Sequence, residues 1–265
     1  WFWNRASEIL PNWRDGLRAT IELIGEDHQV EWFLDEKVPD PQEKWDFILF
    51  WGDTNCPFFN QLDNYHCRKG LCLSTMPYNY HNLEKIDVTY CESTPVYEAV
   101  RSRGIRAIKA MGTDTDFFSP DEKINKDIEY LSIGCFSPWK KQSSISYLGD
   151  KLWCVGSMEP DGKEEYQACI DAGCHVEVGY SPVEYIRDLY RRAKRNLIPA
   201  IHGSERTCLE AMSMNILPEV NPDNKKTYSY IEEYQNSGLS TPREFVLKNY
   251  SAEKYASDIL RGING

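Results

Sequence analysis

The residues best suited to chemistry are gathered between Asn196 and Val220. His202, Ser204, Glu205, Arg206, Thr207 and Glu210 follow one another within that stretch. Ahead of them, residues 197–201 form a short apolar run that reads as a buried strand ending. Residues 207–212 read as the first turns of a helix, with Ser204 or Thr207 placed to cap it. Acids sit near the positive end of its dipole. A second apolar run, 216–220, reads as the next strand. Strand, turn, helix, strand leaves backbone N–H groups directed at the turn. A helix start of this kind seats an anion, and phosphate is the commonest. Glu210 then lies about one turn inside the helix, facing whatever the phosphate carries.

The charge and composition exclude several classes. The chain has 265 residues, enough for one large or two small domains, and a net charge of −11. That charge opposes a broad nucleic-acid or anionic-membrane surface. Nine cysteines, none spaced CxxC, speak for free thiols in a reducing cytosol rather than a zinc site or disulfide framework. No apolar run approaches the ~20 residues that span a bilayer, and no signal peptide is read. Trp1 is not a natural start, which leaves room for a Met and a first strand ahead of it. The motifs GxSxG, HExxH, GxGxxG and the P-loop are absent from the sequence. Aromatic content of 13% suits sugar or base stacking, and suits a Trp-rich core equally.

The elements that must position these residues alternate. Residues 46–51, 70–74, 86–90 and 105–111 read as strands, as do 29–34, and helices are expected near 17–24 and 95–103. The pattern breaks at 112–120, GTDTDFFSP, and residues 121–126 read as a polar hinge. It restarts with strands at 128–133, 152–156 and 175–178 and helices at 164–172 and 183–193. Residues 135–141 are expected to turn into a further helix, and helical stretches close the chain at 228–234, 242–249 and 251–263. Buried strands alternating with helices predict open, mostly parallel sheets.

Three segments in order resemble the retaining glycosyltransferases of family 4. Glu210-Ala211-Met212 is similar to the second half of that family's signature, two glutamates flanking a glycine-containing loop. Arg206-Thr207 resembles a variant found in small members. GTDTDFFSP is similar to the end of the family's first domain, with Thr113 where valine is usual. The turn at Gly134 to Lys141 is similar to the diphosphate clamp. The resemblance implies an α/β protein with two Rossmann-like domains facing across a cleft, the GT-B fold. The expected boundaries are 1–121 for an acceptor-side domain and 122–248 for a nucleotide-sugar domain, with 249–265 as a final helix returning to the first. It implies sugar transfer with retention from a nucleotide-diphosphate sugar, a UDP-sugar foremost, without a required metal.

The residues carried over are few. Glu210 takes the ribose hydroxyls, and Lys140 grips the diphosphate. Gly16 and Gly134 approach the phosphates, Thr207 and Cys208 offer N–H groups, and Tyr180 lies near the base. Two positions depart from the family. His202 stands where the first glutamate would touch the donor sugar, and Cys135 stands where an arginine is usual. Arg206 is the expected replacement for that charge. Asp15, Asp53 and His81 are candidates for the acceptor. The compact size resembles transferases of bacteriophages and large viruses, so the acceptor is open between a hydroxymethylated DNA base and a cell-surface glycan. Residues Arg187, Arg191, Arg192, Lys194 and Arg195 would be the basic strip for DNA, or else a solvated helix face. A non-catalytic nucleotide-sugar binder and an epimerase of the same architecture are the alternatives, and a cytoplasmic setting is expected.

Overall fold

The computed structural model describes residues 16–31, 39–52, 57–74 and 83–265. The chain divides into two compact units, 1–112 with 252–265, and 113–251. Asp15, Asp53 and His81 lie outside the described residues.

The first unit is built on a parallel sheet ordered β1 (Phe47–Gly52), β2 (Arg68–Leu73), β3 (Val88–Cys91) and β4 (Ala107–Lys109). Ile48, Leu49 and Phe50 are buried in succession, as a strand covered on both faces requires. Alternate residues serve opposite layers. Ile48, Phe50, Leu71 and Leu73 pack with Val96 and Val100 of α2 (Thr94–Arg101). Leu49, Cys72, Val88 and Tyr90 pack with Ile21 and Ile24 of α1 (Gly16–Gly25). The terminal helix, Ala252–Asn264, belongs to this second layer through Tyr255 and Ile259. The Tyr90 hydroxyl donates to the Ile259 carbonyl at 2.8 Å, which locks helix to strand.

The second unit holds a five-stranded parallel sheet. Its strands in chain order are β5 (Ile128–Ile133), β6 (Leu152–Gly156), β7 (His175–Val178), β8 (Ala193–Ile198) and β9 (Glu219–Val220). In space they run β7-β6-β5-β8-β9. From β5 the chain therefore builds outward first to one side and then returns to build on the other. Its helices are α3 (Lys163–Asp171), α4 (Val183–Arg192), α5 (Glu205–Ser213), α6 (Lys225–Asn236) and α7 (Pro242–Asn249), so that the terminal helix is α8. Ligands bind beyond the strand C-termini where the order reverses. Here that place lies beyond β5 and β8, which pair through Ile128 with Ala193 and Leu131 with Asn196.

Three local readings differ from the sequence expectation. Residues 29–31 are not in a strand, and 32–34 lie outside the described residues. The turn after Lys140 opens into 3₁₀ turns over Gln142–Lys151, not an α-helix. The Ser144 and Ser146 hydroxyls bond back to the carbonyls of Lys141 and Ser143, which competes with helix hydrogen bonding. Residues 113–126 all fall in the second unit. Phe118 is buried there against Ile128 and Leu131, and the Thr113 N–H bonds the Tyr250 carbonyl at 2.8 Å.

Candidate functional site

Two loops meet beyond β5 and β8. The Ile201 N–H donates to the Trp139 carbonyl at 2.9 Å, and the Lys140 ammonium donates to the Ser204 hydroxyl at 2.7 Å. Both contacts join the 134–140 loop to the turn before α5. Gly134 and Gly156 make the first loop possible. A Cβ on Gly156 would sit 2.0 Å from the Gly134 carbonyl oxygen, so only glycine lets the β5 end pass the β6 end. Gln142 then donates to the Cys135 carbonyl at 2.8 Å and stiffens the loop from beneath.

The turn before α5 departs from an ordinary cap. Gly203 and Ser204 both have positive φ, 72° and 78°. Ser204 occupies the N-cap position, yet its side chain makes no cap hydrogen bond. Its hydroxyl serves Lys140 instead. The first helical N–H committed to a carbonyl one turn back is that of Cys208, bonded to Ser204 at 3.0 Å. Cys208 therefore has no N–H to offer a phosphate, which corrects its assignment; its thiol is also fully buried. The N–H groups of Glu205, Arg206 and Thr207 are those without an intrahelical acceptor.

Glu210 lies on the same helix, buried, with both carboxylate oxygens engaged. Arg206 Nε is 3.3 Å from Oε1, and the Tyr190 hydroxyl is 3.2 Å from Oε2. Tyr190 is fully buried, and burial together with Glu210 keeps its phenol protonated as a donor. Arg206 thus orients Glu210 as well as contributing charge near Lys140. Tyr180 stands in the loop after β7, 57% exposed, in the open rather than packed beside α4. Gly16 opens α1 in the first unit.

The helix α6 contributes residues that sequence reasoning did not place. Asn224 Nδ2 and Thr227 Oγ1 both bond the Gly203 carbonyl at 2.7 Å. Lys226 Nζ lies 3.1 Å from Glu205 Oε1, with both side chains under a tenth exposed. Asn224 is also the N-cap of α6, a signal legible in the sequence. Lys226 carried no signal, since lysine is by default a surface residue.

Charge shifts follow from this crowding. Burial, with the like charges of Arg206 and Lys226, pulls the Lys140 ammonium below the usual lysine range, while Cys135 and Glu205 pull it back. Partial desolvation, helped by Lys226 and Lys140 and opposed by Glu205, lowers His202 as well, although its ring stays open to solvent. A neutral His202 in the fold has a stability consequence. Above the ordinary value of 6.5 the imidazole is uncharged in both states and the fold loses nothing. As pH falls, the unfolded chain takes up the proton first, and stability drops until the lowered native value is passed. Urea midpoints between pH 8 and pH 5 should fall more for the wild type than for His202→Gln; parallel profiles would refute the shift.

The basic strip is not available to DNA as a row of unpaired charges. Arg192 makes two 2.8 Å bonds to Asp127, Lys194 reaches Glu129 at 2.7 Å, and Arg195 reaches Glu219 at 2.5 Å. Arg187 and Arg191 share Asp188. The guanidinium groups of Arg187, Arg192 and Arg195 also cover the rings of Phe117, Trp153 and Tyr130. A separate hollow of about 500 Å³ lies at Pro120, Arg243 and Leu247 and holds none of the candidate residues. Arg243 there is already bound to the carbonyls of Ser213, Phe118 and Thr115. No group of metal-ligating side chains is present among the described residues, and no helix among them is long and apolar enough to cross a membrane.

No protein-family model and no curated protein matches the sequence. Solved structures do match the fold. AviGT4, a glycosyltransferase involved in avilamycin A biosynthesis, aligns over 94% of this chain and 88% of its own, at TM-score 0.59 and 13% identity. The fold is GT-B. TarM aligns over 83% of this chain at TM-score 0.56 and 12% identity. The pneumococcal O-GlcNAc transferase GtfA, in complex with UDP and GlcNAc, aligns over 81% at TM-score 0.53 and 8% identity. The chain spans just over half the length of these last two, 55% of TarM and 56% of GtfA. Within the GT-B fold, the loops beyond β5 and β8 carry Lys140 and Ser204, and α5 carries Glu210, on one unit.

Proposed function

We propose that the protein is a glycosyltransferase whose second unit binds a nucleotide-diphosphate sugar and whose first unit binds a hydroxyl acceptor. The observation that carries this reading is Lys140 held against Ser204 at the start of α5, with Glu210 buried on the same helix. The reading gains support from GtfA, a fold relative that was solved with UDP and GlcNAc, and UDP is accordingly the first donor nucleotide to test. In sugar transfer, positive charge develops on the sugar and negative charge on the departing diphosphate. Fixed donors aimed at that diphosphate stabilise the transition state without rearrangement. Lys140 and the N–H groups that open α5 take this role, with the Gly134 loop close by. Glu210, oriented by Tyr190 and Arg206, accepts the ribose hydroxyls. His202, neutral, hydrogen-bonds a sugar hydroxyl. Tyr180 offers its exposed ring to the base. Transfer proceeds with retention, the leaving phosphate assisting the acceptor, and Asp15, Asp53 and His81 are the first-unit positions assigned to the acceptor.

A panel of nucleoside diphosphates in calorimetry and of UDP-sugars in hydrolysis assays tests the reading. UDP should bind the wild type. Glu210→Ala should weaken UDP about 30-fold, the loss of charge-assisted hydrogen bonds worth about 2 kcal/mol, and should affect 2′-deoxy-UDP less. Equal UDP affinity in wild type and Glu210→Ala would place the nucleotide elsewhere.

A further inference from the structure

Lys140 and Lys226 reach one short turn from separate elements. Lys140 Nζ bonds Ser204 and lies 3.1 Å from where a Cβ on Gly203 would be. Lys226 Nζ lies 3.1 Å from the carboxylate of Glu205, the next residue. Two ammonium groups therefore flank Gly203, Ser204 and Glu205, and His202 feels both charges. The α6 start is fastened to the same turn by Asn224 and Thr227, so the N-termini of α5 and α6 converge there. The Glu205 carboxylate faces these cations, and Glu210 is engaged by Arg206 and Tyr190. Burying an ion pair this deeply gains little stability over apolar packing, so the pair calls for another reason.

We propose that Lys226 is a second diphosphate-binding cation, and that Glu205 is an internal anion which an incoming diphosphate displaces from it. This rests on the donor-site reading above. Cys135 stands where the resemblance implies a clamp arginine; Arg206, the expected replacement, is turned to Glu210, and Lys226 at the start of α6 supplies the charge instead. Glu205 holds Lys226 in place without ligand, and exchange of its carboxylate for a phosphate oxygen lets the turn accept a dianion while keeping an anion beside that lysine. No bond is made or broken; the exchange is of ion-pair partners.

The test measures inorganic pyrophosphate and UDP binding by calorimetry for the wild type, Glu205→Gln, Lys226→Met and the charge-matched double variant. Removing the internal competitor should tighten pyrophosphate about 5-fold in Glu205→Gln. Lys226→Met should weaken it about 20-fold, and the double variant should resemble Lys226→Met. Melting curves run alongside separate folding defects from binding. A purely structural pair predicts lower melting temperatures for both single variants with pyrophosphate affinity unchanged within 2-fold, or weaker binding in Glu205→Gln. Either result overturns the proposal. Should pyrophosphate bind with this Lys226 dependence while no nucleoside diphosphate binds, the anion seat stands and the glycosyltransferase reading falls. Should UDP bind with no sensitivity to Lys226 or Glu205, the reverse holds.

Discussion

Lys140→Met should weaken UDP about 100-fold and leave the fold as stable as before or more so. The two halves of this expectation share a cause. Burial, with smaller repulsion from Arg206 and Lys226, lowers the pKa of Lys140. A lysine so placed raises the energy of the folded protein, and methionine of similar length removes the strain without opening a cavity. Binding moves the other way. A preorganised cation in a site of low dielectric is worth about 3 kcal/mol to a developing or bound phosphate charge. Calorimetry for affinity and urea unfolding for stability check the pair of signs together. A variant that is less stable and binds UDP normally would show Lys140 to be a structural residue, its bond to Ser204 a fold contact only.

Gly156→Val should destabilise the second unit by about 3 kcal/mol and abolish nucleotide binding in whatever folds. The added Cβ would meet the Gly134 carbonyl oxygen at 2.0 Å and its carbon at 2.5 Å, both backbone atoms. Backbone cannot rotate away as a side chain can, so the β5 end must move or the β6 end must bend. The Gly134 N–H bonds the Val155 carbonyl at 3.0 Å, and that bond goes first. Movement of Gly134 carries the 134–140 loop with it, and Lys140 leaves Ser204. A loss of about 10 °C in melting temperature follows from the free-energy change. Thermal unfolding checks the first effect, and UDP calorimetry on folded protein the second. Normal melting in Gly156→Val would mean that the two strand ends are not packed as described.

The same arrangement explains why the site tolerates an unusual helix start. A serine at the N-cap normally satisfies the helix it begins, and here it satisfies a lysine from another loop. The turn is paid for by α6, whose Asn224 and Thr227 hold the Gly203 carbonyl. Stability in this region is therefore shared among β5, β8, α5 and α6. Substitutions at Asn224 or Thr227 should act on the proposed anion seat through the geometry of the Gly203 turn rather than by contact.

Local pattern alone determined most of the described strands and most helices, though residues 29–31 are not the strand expected there. Ile48 to Phe50 must be covered on both faces because three adjacent apolar side chains leave no polar face. The 242–249 helix was legible to the residue, because Thr241 caps it and Pro242 opens it. The start of α5 and the place of Glu210 inside it were legible too, because a helix start depends on a few consecutive residues, but the cap bond expected of Ser204 is not made, its hydroxyl being taken by Lys140. The 3₁₀ turns after Lys141 were missed, since serine hydroxyls that bond backward look like helix residues in sequence. Which charges face one another was decided only by tertiary structure. Pairing β5 with β8 sets Asp127 beside Arg192 and Glu129 beside Lys194, and so neutralises a strip that sequence presents as basic. Packing of α6 on the α5 turn buries Lys226, and the reach of the 134–140 loop brings Lys140 to Ser204. Strand order and register set those distances, and they arise from the sheet as a whole, which no single segment encodes.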